Sequence, residues 1–305
     1  MIGVCISGGG AKIGFAVGVL EVMAERGIRP DLVYGISSGS LCTAALCYGD
    51  LAFLKETLLA IEKRRDVLKN QWPKVLWTLL TKKGEADGWF EMDTMRRKLD
   101  TLPRDTPQIK GVVGYVKLRS GEIVFKSTSQ TGKTEFLDAV QASCAIPVYM
   151  QTRRVNGDNH VDGGVRDILP MKALLKDDLK VDEVHVICLS PLNPASDKTF
   201  RTIIDVAVRS LDLLLNEILQ NDYDTMVRTN RLIAQKQALE GRLHQWLEGK
   251  RIVTPFRYLP ERIICGTTDF RRETIQAGID HGREIAARVL KDYPHPPPDS
   301  IAFPG

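Results

Sequence analysis

Two apolar runs near the start of the chain, Val4-Cys5-Ile6 and Leu32-Val33-Tyr34, each lead straight into a glycine-containing turn. Between them, Phe15, Val19, Val22 and Met23 recur at the three- and four-residue spacing of a helix face. Strand, glycine turn, helix, strand and second turn form a β-α-β unit. Such a unit places both turns at the carboxyl ends of parallel strands, where open α/β sheets build their sites. The first turn is Gly8-Gly9-Gly10 and the second is Gly35-Ile36-Ser37-Ser38-Gly39.

The second turn has the Gly-x-Ser-x-Gly pattern in a strand-to-helix setting. A serine there is pushed out of the sheet with its hydroxyl presented for attack. The triple glycine can aim backbone N–H groups at one point, as an oxyanion hole does. A phosphate-binding loop is the competing reading. The spacing does not supply Gly-x-x-x-x-Gly-Lys-Ser/Thr, and Ile13 occupies the place of the third glycine in Gly-x-G-x-x-Gly. A serine hydroxyl needs a base. His160, His185, His244, His281 and His295 all sit in strand-like, helix-like or tail settings that suit structural roles. The other base on offer is Asp162, in Val161-Asp162-Gly163-Gly164, which reads as an acid presented on a loop.

Four blocks occur in order: Gly8-Gly9-Gly10-Ala11-Lys12, Gly35-Ile36-Ser37-Ser38-Gly39, Ala142-Ser143-Cys144-Ala145-Ile146-Pro147 and Asp162-Gly163-Gly164. Together they resemble the patatin-like phospholipase family. The resemblance implies a three-layer α/β/α fold with a mostly parallel central sheet. It also implies hydrolysis of lipid acyl esters by a Ser–Asp dyad without histidine and without a cofactor or metal. Ser37 would then be the nucleophile, Asp162 the base, and Gly8, Gly9 and Gly10 the oxyanion donors. The family usually has glycine where this chain has Ile13, and Gly14 follows one place on. Lys12 is either support for a lipid head group or for the loop, or an exposed lysine at the helix start. Cys144 resembles a small buried residue, and Ser38 and Ser40 belong to the helix start. The implied substrate is a phospholipid or lysophospholipid. An α/β-hydrolase esterase with Ser37, Asp162 and His281 is the alternative enzyme, although that fold builds several strands before its serine. An activator-dependent enzyme or an inactive lipid-binding module is the alternative outside it.

A net charge of +4 over 305 residues gives no support for nucleic-acid binding. The six cysteines are scattered and none forms Cys-x-x-Cys, which predicts neither a zinc site nor a disulfide framework. With a first strand beginning almost at Met1 and no room for a signal peptide, a cytoplasmic setting is expected. Domain organisation reads as one domain over residues 1–292 and a proline-rich tail over 293–305. Residues 63–83 combine Trp72, Pro73, Leu76, Trp77, Leu79 and Leu80 with Lys63, Arg64, Arg65, Lys69, Lys74, Lys82 and Lys83. This composition suits peripheral contact with an anionic membrane or a packed cap with a solvated basic face. Helices are expected over Leu51–Arg65, Glu135–Ala145, Phe200–Leu239 and Arg271–Leu290. Strands are expected over Gly111–Leu118, Glu122–Ser127, Val184–Leu189 and Ile263–Cys265. The long helix, with Ile203, Ile204, Ala207, Leu211, Leu214, Leu215 and Ile218 on its apolar side, fits a core position or a homodimer face.

Overall fold

The computed structural model describes residues 1–61, 66, 69–81, 87–155, 157–175, 181–192, 199–201, 203–234 and 255–295. The expected helical residues 62–65 and 235–239, the basic residues Lys63, Arg64, Arg65, Lys82 and Lys83, His244 and most of the tail lie outside these.

The strands are β1 (Ile2–Ile6), β2 (Leu32–Ile36), β3 (Lys69–Asn70), β4 (Gly88–Glu91), β5 (Lys110–Lys117), β6 (Ile123–Ser127), β7 (Val148–Met150), β8 (Arg153–Val155), β9 (Asp158–Asp162), β10 (Glu183–Ile187) and β11 (Phe256–Tyr258). The helices are α1 (Ile13–Glu25), α2 (Ser38–Tyr48), α3 (Leu51–Leu59), α4 (Trp72–Thr81), α5 (Asp93–Asp100), α6 (Lys133–Ser143), α7 (Met171–Leu175), α8 (Ile203–Ala234) and α9 (Arg272–Val289). The large sheet has the order β11-β10-β1-β2-β5-β9-β8, with β6 also on β5. From β11 to β5 all neighbours are parallel, and the β5–β6, β5–β9 and β9–β8 pairs are antiparallel. A small second sheet, β3-β4-β7, stands apart.

Strand periodicity assigns the layers. Val4 and Ile6 of β1 point into a core shared with α1, α3 and α9, while Cys5 between them points into a core shared with α7 and α8. Helices therefore cover both faces. The central strands β1, β2 and β10 are almost wholly buried, which explains why their sequences read as unbroken apolar runs. Helix α1 lies close against α9. A Cβ on Gly14 would stand 2.5 Å from the Ile275 carbonyl, and one on Gly18 would stand 2.0 Å from that of Ile279. Gly14 thus serves helix packing, and Ile13 beside it is a core residue.

Three expectations are corrected. Ile263–Cys265 forms no strand; β11 lies earlier, where Phe256 and Tyr258 are both buried and pair with β10. Asp162 does not stand on a loop but ends β9. Helix α8 packs through Leu211, Leu215 and Ile218 of the expected apolar side and continues along Asn216, Leu219, Asp222, Tyr223 and Val227, while Leu214 and Ala207, expected on that side, point outward.

Candidate functional site

Register brings the two candidate catalytic side chains together. In β2, Ile36 pairs with Gly114 of β5, and the next residue of β5, Tyr115, pairs with Asp162 of β9. β6 holds the other edge of β5 along residues 112–116, so Ser37, one step past Ile36, and Asp162 meet end to end on the same edge of β5, beside the glycine turn that follows β1.

Ser37 occupies a strained elbow. Its φ of 53° and ψ of −127° are rarely adopted by a residue with a side chain. The flanking glycines make the bend possible: a Cβ on Gly35 would lie 2.3 Å from the Gly39 carbonyl, and one on Gly39 would lie 2.4 Å from that of Ile6. Buried hydroxyls and a thiol hold the strained backbone. The Ser37 N–H donates to Ser143 Oγ (2.9 Å), and the Ser37 carbonyl accepts from Ser40 Oγ (2.5 Å), Ser40 N–H (2.9 Å) and Cys144 Sγ (3.1 Å). Ser40 and Cys144 are thus supports of the elbow, and burial pushes the Cys144 thiol well above its ordinary pKa. Ser38 lies in the first turn of α2 with its hydroxyl buried and unpartnered.

Asp162 is buried. Its Oδ1 accepts from the Gly164 N–H at 2.8 Å, while Oδ2 has no partner in hydrogen-bond geometry. Burial pushes its pKa up to about 7, against the opposing pull of the Ser37 hydroxyl and the Gly164 N–H. Across the turn, the Gly8 N–H donates to the Ile168 carbonyl at 3.3 Å, and Ser7 Oγ ties the turn to the Leu189 N–H at 2.9 Å. The N–H groups of Gly9 and Gly10 have no acceptor among the described residues. Gly10 is in the left-handed region (φ 59°), and the Thr267 carbonyl stands where its Cβ would be.

Two cavities meet at Ser37. One is lined by Asp162, the three glycines, Lys12, Ser190 and Asn216. Lys12 is not an exposed lysine: its Nζ donates to Ser190 Oγ at 2.8 Å, and burial lowers its pKa against the pull of Asp212. Asn216 Oδ1 is buried without a partner. The other cavity is almost wholly apolar, with Leu41, Leu54, Leu58, Met95, Ile146 and Phe270 in its wall. Sequence reasoning missed Ser143, Ser190, Asn216 and Thr267. Only Ser143 carried a signal, as a hydroxyl within the third block.

Among the described residues no histidine lines either cavity. His185 is held between Tyr258 (2.7 Å) and Glu183 (2.6 Å), His160 faces the Arg153 carbonyl, and His281 Nε2 accepts from the Glu261 N–H at 3.2 Å. His281 is thereby committed to the packing of α9.

A doubly covered α/β sheet with a serine elbow, a glycine turn and a facing carboxylate defines a class of serine-centred α/β proteins. Within that class, the patatin-like phospholipase family model matches residues 4–175, and the chain belongs to that family. Among solved structures, one match is the crystal structure of VipD from Legionella pneumophila, with a TM-score of 0.44 and 16% identity. The match covers 94% of this chain and 66% of that one, so this chain spans just under two thirds of the length of VipD's chain.

Proposed function

We propose that this protein is a lipid acyl hydrolase of the phospholipase A or lysophospholipase type. One observation carries the reading: Ser37 lines both an almost wholly apolar cavity and a second one into which Lys12, Ser190, Asp212 and Asn216 bring charged and hydrogen-bonding groups. An ester joining a fatty acyl chain to a polar head group has that same division.

In the proposed mechanism Ser37 Oγ attacks the ester carbonyl carbon while its proton passes to Asp162 Oδ2. The oxyanion accepts from the Gly9 and Gly10 N–H groups, with Gly8 anchoring the turn, and the positive end of α2 adds to the stabilisation. Collapse breaks the carbonyl-carbon bond to the alcohol oxygen, which takes the proton from Asp162. Water then attacks the acyl-serine, again giving its proton to Asp162, and the fatty acid leaves as Ser37 is regenerated. Lys12 is proposed to face an anionic head group from the cavity it lines or to hold the Ser190 loop in place.

The test is fatty-acid release from mixed phospholipid and lysophospholipid vesicles by wild type and Ser37→Ala side by side. Release by wild type alone supports the reading; equal release by a well-folded Ser37→Ala protein refutes the nucleophile. A second reading, an activator-dependent enzyme, is favoured by the presence of Leu215, Asn216 and Leu219 of α8 in the wall of the cavity that holds Lys12. Release that begins only on addition of cell extract would mark it.

A further inference from the structure

Helix α4 is a short helix turned largely outward. Val75 is 8% exposed, whereas Trp72, Leu76, Trp77 and Leu80 are 41%, 51%, 63% and 74% exposed. Residues 72, 76 and 80 repeat at four-residue spacing with 77 beside them, so these side chains form one stripe. A helix of this length is marginal in water without an apolar partner.

The helix is fixed to the small sheet. The Gln71 N–H donates to the Trp89 carbonyl at 2.8 Å, Trp72 stacks on Trp89 (centroids 5.7 Å, interplanar angle 17°), and Trp89 meets Tyr149 edge-on. That sheet also borders the apolar cavity: Phe90 of β4 pairs with Met150 of β7, and Met150 and Met92 line the cavity wall. The stripe and the acyl cavity thus share one small sheet.

Charge indicates what covers the stripe. Lys69 and Lys74 are exposed and share one carboxylate, Glu91, at 3.4 and 2.8 Å, which leaves an unbalanced positive charge beside it. In sequence, residues 62–86 hold seven basic and three acidic residues, an excess equal to the net +4 of the whole chain. A few side chains on one short helix offer little against the ~800 Å² per partner of a stable protein interface. Tryptophan and leucine beside lysines are sufficient for anchoring at a lipid surface.

We propose that α4 docks this protein on an anionic lipid surface, with Trp72, Leu76, Trp77 and Leu80 entering the head-group boundary beside the mouth of the acyl cavity. The use of that cavity rests on the acyl-hydrolase reading; the docking itself needs no turnover. The test is co-sedimentation of the full chain, in a Ser37→Ala background, with vesicles of phosphatidylcholine alone and of phosphatidylcholine with phosphatidylglycerol. Binding is expected to be at least tenfold tighter to the anionic vesicles, and Trp77→Glu/Leu80→Glu is expected to weaken it at least tenfold with an unchanged circular dichroism spectrum. Trp77→Gln/Leu80→Gln repeats the test should the charged pair disturb the fold. Equal affinity for both vesicles, no binding, or undiminished binding by the variants overturns the proposal. So does self-association that these variants abolish, which would assign the stripe to a second copy of the chain. Vesicle binding without any fatty-acid release by the active protein would refute the proposed reaction and leave the docking face standing.

Discussion

An aspartate with the ordinary pKa of about 3.9 is a poor acceptor for a hydroxyl proton. Burial lifts Asp162 to about 7, which suits a base working near neutrality. If Asp162 acts as the ionised base, kcat/KM should rise with pH through about 7 and level off above it, as a pH–rate profile on a soluble ester would record. The same shift costs stability. The folded state holds its proton more tightly than the unfolded state, so this contribution is fully present below about pH 4 and lost as pH rises to about 7. Asp162→Asn keeps an acceptor for the Gly164 N–H and removes the buried charge. The variant should lose roughly 10²–10⁴ in kcat and unfold at higher denaturant than wild type at about pH 8, by on the order of 4 kcal/mol at most. Unchanged turnover would dismiss the base; an unchanged midpoint would dismiss the burial penalty. Ser143→Ala tests the elbow. It orphans the buried Ser37 N–H and should cost about 1–3 kcal/mol in chemical denaturation. It should also lower kcat more than it changes KM, because the relaxed elbow misplaces Oγ.

At the scale of elements, the readable parts were those whose local pattern and tertiary role agree. β1, α1, β2 and the start of α2 carry apolar runs, helical spacing and glycine turns that describe their final positions, and all four family blocks fall in the elements that build the site. β9 was hidden because Asp158, Asn159 and His160 look like turn residues; its pairing with β5 and β8 makes it a strand. Ile263–Cys265 misled in the opposite way, as an apolar triplet with no sheet edge to join. Ser190, Asn216 and Thr267 come from three distant segments that only the closed fold collects around Lys12 and Gly10. The α1–α9 contact was likewise invisible, because a glycine reads as a helix weakness until its partner is known. There, Gly18→Val should destabilise the protein by about 1–3 kcal/mol or more, seen as a lowered Tm, since the Ile279 carbonyl occupies the space of the new side chain. An unchanged Tm would mean that the two helices can move apart.

Across the whole molecule, the apolar cavity is assembled from segments far apart in the chain. α2 and α3 supply Leu41, Leu54 and Leu58, the segment after the small sheet supplies Met92 and Met95, and Phe270 comes from just ahead of α9. Its depth is therefore set by packing between elements, and a single side chain can shorten it. Met95 is buried in the wall, on an amphipathic helix whose other face is in solvent. Met95→Trp should fill part of this cavity without replacing Ser37, Asp162 or any residue of the glycine turn. If this cavity takes the acyl chain, kcat/KM for a palmitate ester should fall roughly tenfold or more relative to a butyrate ester, since each methylene excluded from an apolar pocket is worth about 1–3 kcal/mol. The butyrate rate itself should stay near wild type, as the reacting atoms keep their partners. A uniform loss across chain lengths would point to a disturbed elbow, and an unchanged profile would move the acyl chain out of this cavity altogether.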